Sequence, residues 1–208
     1  TIQGYGPGWV GVNGEKITIT GNGAVAVLSS IETYELGDDT TNARAMTLGS
    51  AAALNLIANN AGDTITVNAT ILAENTALTL AAASASNLVV TGLIGDIVAT
   101  NLSGTLTVTT ADAVDNGISI TTGSAATSLT VNNATDIVTV NAAALAQNTA
   151  LTVAAASASA LTVTGLVGDL VATNLTGALT VTTADAADDG ISIITGSATT
   201  SLTANNAT

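Results

Sequence analysis

The sequence contains no cysteine, no histidine and no phenylalanine. Its one proline is Pro7, its aromatics are Tyr5, Trp9 and Tyr34, and its two cations are Lys16 and Arg44, set against 15 carboxylates. From residue 61 to the end there is no positive charge, no aromatic and no proline. Without cysteine there is no disulfide and no thiolate metal site, while the redox compartment stays open. A net charge of -13 with two cations leaves nothing to neutralise phosphates, which excludes an ordinary nucleic-acid or anionic-membrane binder. Lack of histidine and cysteine, and of any base or electrophile in the form of Lys or Arg after residue 61, argues against an enzyme. Paired carboxylates in Asp112/Asp115 and Asp185/Asp188/Asp189 could serve glycoside hydrolysis at a separation of about 5 to 9 Å. A sugar cleft, however, normally also offers aromatic platforms. No apolar run reaches the roughly 18 residues of a transmembrane helix, and no stretch has the basic start and apolar run of a signal peptide. The most alanine-rich segment, 77–90, is interrupted by Thr79, Ser84, Ser86 and Asn87. The chain starts at Thr1, and the expectation is a processed product or fragment whose export signals lie outside it.

What is present is apolar, β-branched and repetitive. With 47% hydrophobic residues, the chain departs from the composition of disordered acidic segments and is expected to fold. Residues 62–135 match residues 135–208 at a constant offset of 73, with no gap and about three quarters of positions identical. NTALTLAAASAS, from Asn75 to Ser86, recurs as NTALTVAAASAS, from Asn148 to Ser159. TGLIGDIVATNL, from Thr91 to Leu102, recurs as TGLVGDLVATNL, from Thr164 to Leu175. A partial third copy precedes them, Leu56 to Asn60 matching Leu129 to Asn133. The organisation expected is a cap or junction over 1–48, a partial repeat over 49–61, and full repeats over 62–134 and 135–208. The array is expected to continue, because no polar capping repeat closes it.

Within each copy apolar and polar residues alternate with period two, as in a half-buried strand. Strand centres fall near Thr66, Thr79, Val89, Val98, Thr107, Ser119 and Thr130, bounded by Gly, Asn, Asp or Ser as turns require. The two copies tell inside from outside. Ile65/Val138, Leu80/Val153 and Ile97/Leu170 exchange apolar for apolar, whereas Val89 becomes Thr162. Small aliphatics inside and threonine outside suit a thin core with no room for rings. The fold class expected is therefore all-β, a β-solenoid of the parallel β-helix or β-roll kind. Tandem immunoglobulin-like β-sandwiches are the alternative, since seven strands is their count. Seven strands divide evenly into neither two-sided nor three-sided rungs, which leaves the cross-section open. In residues 10–19 the dipeptide Asn13-Gly14 between strand-like arms predicts a type I′ hairpin.

Calcium is the chemistry best suited to the acidic turns. Asp112, Asp115 and Asn116 before Gly117, and Asp185, Asp188 and Asp189 before Gly190, gather hard oxygen ligands in short loops. Asp96 and Asp169 can contribute from an adjacent corner, as can Asp63 and Asp136. The plainer reading is that Asp, Asn and Gly are ordinary turn residues that keep an apolar solenoid soluble. Ten carboxylates and no cations in 61–208 favour a counter-ion. Outward threonines recur at 66, 79, 107, 109, 130, 139, 152, 180, 182 and 203. Spaced threonines on a solenoid face can bind ice, although threonine is also a good strand former and Thr-x-Thr does not recur at every strand.

SSIETYEL, from Ser29 to Leu36, resembles a recurring element of bacterial surface-layer proteins and large type I-secreted adhesins, in which an Ile-Glu-Thr-x-x-Leu/Val strand opens a solenoid coil. The Ala/Thr/Val/Gly/Asn bias and the acidity resemble that group over the whole chain. The resemblance implies export to a bacterial cell surface, calcium-assisted folding outside, and a place in a lattice, filament or adhesive stalk. The sequence departs from the group in lacking the Gly-Gly-x-Gly-x-Asp nonapeptide, with no Gly-Gly pair anywhere. The expected function is thus an extracellular structural protein that associates with its own copies. A binding module, either an adhesin touching a cell-surface glycan or an ice-binding face, is the alternative.

Overall fold

A computed structural model describes residues 16–19, 24–26, 31–37, 43–49, 51–58, 61–80, 84–111, 117–132, 137–154, 158–184 and 190–205. Strands β1 (Lys16–Ile19), β2 (Ala24–Ala26), β3 (Thr33–Leu36), β4 (Ala43–Thr47) and β5 (Leu54–Ala58) precede the full repeats. The first repeat holds β6 (Thr64–Asn68), β7 (Ala77–Leu80), β8 (Asn87–Leu93), β9 (Asp96–Val98), β10 (Leu106–Thr110), β11 (Ile118–Thr121) and β12 (Thr127–Thr130). The second holds β13 (Ile137–Asn141), β14 (Ala150–Val153), β15 (Ala160–Leu166), β16 (Asp169–Val171), β17 (Leu179–Thr183), β18 (Ile193–Ile194) and β19 (Thr200–Thr203). There is no helix among the described residues, hence none long and apolar enough to cross a membrane.

The chain alternates between two parallel sheets. Odd-numbered strands form a ten-stranded sheet in the order β1-β3-β5 through to β19, and even-numbered strands form a nine-stranded sheet. Every strand therefore pairs in parallel with the strand two places along, and each coil consists of one strand from each sheet. The protein is a β-solenoid with a two-sided cross-section. Immunoglobulin-like sandwiches are set aside, because their sheets are antiparallel whereas all seventeen strand pairings here, from β1 with β3 to β17 with β19, are parallel.

Alternation places the core between the sheets. The strand β6 reads Thr-Ile-Thr-Val-Asn with only Ile65 and Val67 buried, and β10 buries Leu106 and Val108 while Thr107 and Thr109 stay half-exposed. In-register stacking then lines like with like: Ile65, Leu88, Leu106 and Thr127 form one inward column. The predicted strand centres all fall within strands, and the exchanges Ile65/Val138, Leu80/Val153 and Ile97/Leu170 are all buried. Ahead of the aliphatic repeats a ring enters the core: Tyr34 on β3 is 1% exposed, with Ile17 and Leu56 as its register partners on β1 and β5.

Seven strands per repeat and two per coil make each 73-residue unit three and a half coils. Successive copies of a strand therefore fall in opposite sheets: β8 lies in the nine-stranded sheet and its copy β15 in the ten-stranded one. A step of one unit is a half-turn about the solenoid axis combined with an advance of about 17 Å, at roughly 4.8 Å per rung.

Of the expected cap over 1–48, the described strands β1 to β4 lie in the same two sheets as the repeats. The Asn13-Gly14 hairpin falls outside the described residues, and Lys16–Ile19 pairs in parallel with β3. The partial repeat over 49–61 supplies β5.

Candidate functional site

Six of the eight candidate calcium ligands, Asp112, Asp115, Asn116, Asp185, Asp188 and Asp189, lie outside the described residues. Asp136 does too. Their loops run from Ala111, after β10, to Gly117 before β11, and from Ala184, after β17, to Gly190 before β18. In the chain they fall between a strand of one sheet and the next strand of the other.

The remaining two, Asp96 and Asp169, occupy equivalent places at the starts of β9 and β16. Each carboxylate reaches up one rung: Asp96 Oδ1 accepts the backbone N–H of Ser119 at 2.8 Å, and Asp169 Oδ1 accepts that of Ser192 at 2.8 Å. Ser119 stands two residues after Gly117, and Ser192 two residues after Gly190. Each aspartate therefore anchors the strand that leaves the acidic corner, a structural task that would hold with or without a cation. Among the described residues no three acidic side chains converge as a metal site. Asp63 is buried, 7% exposed, and its backbone carbonyl accepts the N–H of Asn87.

Asparagines do similar work between rungs. Asn87 Oδ1 accepts both the N–H and the hydroxyl of Thr105, and Asn101 Nδ2 donates to the Leu80 carbonyl at 2.9 Å. Asn174, the copy of Asn101, donates to the Val153 carbonyl. These contacts close the corners of the coil, where backbone groups leave the sheet ladders and would otherwise lack partners.

The most regular surface feature is a hydroxyl grid that the linear sequence conceals. Strands adjacent in a sheet are alternate strands in the chain, so Thr-bearing strands separated in sequence become consecutive rungs. On the ten-stranded sheet the outward column Ser119, Thr139, Thr162, Thr180, Ser201 runs through five successive rungs. A second column, two residues along each strand, holds Thr121, Asn141 and Thr164, then Thr182 and Thr203 beyond an irregularity after Val163. Every one of these residues is exposed or half-buried, and none is charged. On the nine-stranded sheet the equivalent grid comes from the first repeat and is extended by Thr152 of the second: Thr66, Val89, Thr107, Ser128, Thr152 beside Asn68, Thr91, Thr109, Thr130. Sequence reading found the threonines and their outward direction. The grid itself is not legible along the chain, because Thr-x-Thr does not recur on successive strands and only the pairing of alternate strands brings the hydroxyls into columns.

Comparisons with protein-family models, with curated proteins and with solved structures return no match to this chain.

Proposed function

We propose that the chain is an architectural segment of an extracellular bacterial protein: a solenoid rod that serves in a surface layer, filament or adhesive stalk. The observation that carries this reading is the half-integer repeat. Each unit adds three and a half coils of one cross-section, so any number of units concatenates through the same rung-to-rung contact, with no new interface to evolve. Length then becomes a matter of copy number, as in other solenoids. Calcium, held by the corners that contain Asp112, Asp115 and Asn116 and Asp185, Asp188 and Asp189, with Asp96 and Asp169 beside their exits, would relieve repulsion among ten carboxylates in a stretch without cations.

The test is small-angle scattering of the chain and of a version with one more copy of residues 135–207 inserted, each in millimolar calcium and then in chelator. The expected outcome is a rod longer by about 17 Å per added unit, with far-UV circular dichroism and rod length both diminished by chelator. A globule of unchanged length would dismiss the architectural reading, and indifference to chelator would dismiss calcium.

The hydroxyl grid favours a second reading, that of a binding face. An uncharged lattice of hydroxyls and methyls, spaced roughly 4.8 Å between rungs and about 6.6 Å along a strand, can hold water in an ordered layer and so adsorb to ice. Thermal hysteresis in dilute solution is the readout.

A further inference from the structure

Asn-x-Ser/Thr, the acceptor pattern for a glycan on an asparagine amide, occurs at Asn68, Asn101, Asn133, Asn174 and Asn206. Asn133 and Asn206 lie outside the described residues. The other three differ in what their side chains do. At Asn101 the Nδ2 donates to the Leu80 carbonyl at 2.9 Å, and the hydroxyl two residues on, that of Ser103, donates to the Ser84 carbonyl at 3.0 Å. At Asn174 the Nδ2 donates to the carbonyls of Val153 and Ala154, at 3.2 and 3.3 Å. Both residues are exposed, yet both amide nitrogens are committed to backbone carbonyls of the solenoid.

Asn68 is arranged the other way round. It ends β6, and its Oδ1 accepts the N–H of Thr70 at 3.1 Å and the Thr70 hydroxyl at 2.9 Å. A backbone N–H only donates, so the amide oxygen faces Thr70 and the nitrogen is turned away from it. That nitrogen donates to no described residue. Two hydrogen bonds into the amide oxygen polarise the group and favour loss of a proton from Nδ2. The second repeat keeps the turn and loses the hydroxyl: Asn141 Oδ1 accepts the N–H of Ala143 at 3.1 Å, and Ala143 is the copy of Thr70. Gly165 stands over Ala143 as Gly92 stands over Thr70, so the space for a threonine is still there.

We propose that Asn68 is a modification site that takes a glycan on Nδ2, and that the folded solenoid withholds Asn101 and Asn174 from the same reaction. The donor class is an oligosaccharide linked to a polyprenyl diphosphate and presented by a transferase. Nδ2 attacks the anomeric carbon, and a C–N bond forms as the C–O bond to the diphosphate breaks. The diphosphate leaves with the electron pair, one Nδ2 proton passes to a base of the transferase, and no oxidant or reductant is required. The glycan then stands on the outward face of the nine-stranded sheet, at the start of its hydroxyl columns. This inference goes beyond the architectural reading and depends on neither rod length nor calcium.

The test is peptide mass spectrometry of the folded chain, carrying Asn133→Gln and Asn206→Gln, after incubation with a transferase and a polyprenyl-diphosphate-linked oligosaccharide. The transferase is one that glycosylates the free peptide 66–70, which is included in each reaction. A glycan is expected at Asn68 and none at Asn101 or Asn174. Thr70→Ala is expected to abolish the modification and Thr70→Ser to retain it, while Ala143→Thr is expected to add a second glycan, at Asn141. An unmodified Asn68 beside a modified peptide would overturn the proposal. Occupancy at Asn101 or Asn174 equal to that at Asn68 would do the same, as would an Ala143→Thr chain that gains nothing at Asn141.

Discussion

Thr127 turns its side chain inward, stacked between Leu106 and Leu151. It is 2% exposed, and its hydroxyl has no hydrogen-bond partner. A buried donor without a partner carries the full cost of its desolvation, and replacing it with an isosteric methyl removes that cost. The partial copy already makes this choice, because Leu54 stands 73 residues before Thr127 and is buried. Thr127→Val is therefore expected to stabilise the fold by about 1 kcal/mol, read as a raised urea midpoint at constant slope. An unchanged or lowered midpoint would mean that the hydroxyl is satisfied.

At the scale of the element, the strands β8 and β15 each carry one extra residue opposite their neighbours. Between β8 and β10 the pairing passes from Thr91↔Thr109 to Leu93↔Thr110, which leaves Gly92 as a bulge with φ of 66°. Gly165 in β15 repeats it with φ of 63°. The bulge returns Leu93 and Leu166 to the core, where both are 0% exposed. Alanine at either glycine costs about 1–2 kcal/mol for the left-handed backbone, but the surroundings differ. A Cβ on Gly92 would strike the Thr70 methyl, whereas on Gly165 it would meet the Ala143 Cβ at 3.1 Å. Gly92→Ala is expected to lower the thermal midpoint more than Gly165→Ala does, and Thr70→Ala is expected to recover the excess. Equal losses in the two variants would show that backbone strain alone is felt.

At the scale of the whole molecule, the half-turn between units sets what each face displays. Where the first repeat shows its hydroxyl grid on the nine-stranded sheet, the ten-stranded sheet at that level turns Ala77 and Thr79 of β7 and Asp96 and Val98 of β9 outward, before the grid of that face begins at Ser119 and Thr121 on β11. In the second repeat the roles exchange. Hydroxyl patches therefore alternate from side to side along the rod. If the grid adsorbs ice, Thr162→Lys with Thr180→Lys on the ten-stranded face, combined with Thr107→Lys on the nine-stranded face, should remove most of the thermal hysteresis. The same charges at Asn55 and Thr79, three and two rungs before the grid begins on the ten-stranded face, should leave it intact. Absence of hysteresis in the parent chain would discard the ice reading altogether.

Much of this protein is written locally. Period-two alternation, the Gly, Asn and Asp corners and the 73-residue identity sufficed for the seven strands per unit, their inward residues and the solenoid class, because each depends on near neighbours along the chain. The absence of rings from the repeat core followed from composition, whereas the burial of Tyr34 and Arg44 ahead of the repeats did not. Arg44 is 4% exposed and donates through Nη2 to the Gly37 carbonyl at 2.6 Å. That placement depends on a carbonyl seven residues earlier in the chain coming within reach of the guanidinium. The number of sides, the half-turn between repeats and the hydroxyl grid lay beyond sequence pattern, since all three depend on which strands become neighbours in space. Asp96 and Asp169 illustrate the same division. The turn chemistry that marked them was visible in the residues, but their partners, Ser119 and Ser192, lie 23 residues on, and coiling of the chain brings each pair to hydrogen-bond distance.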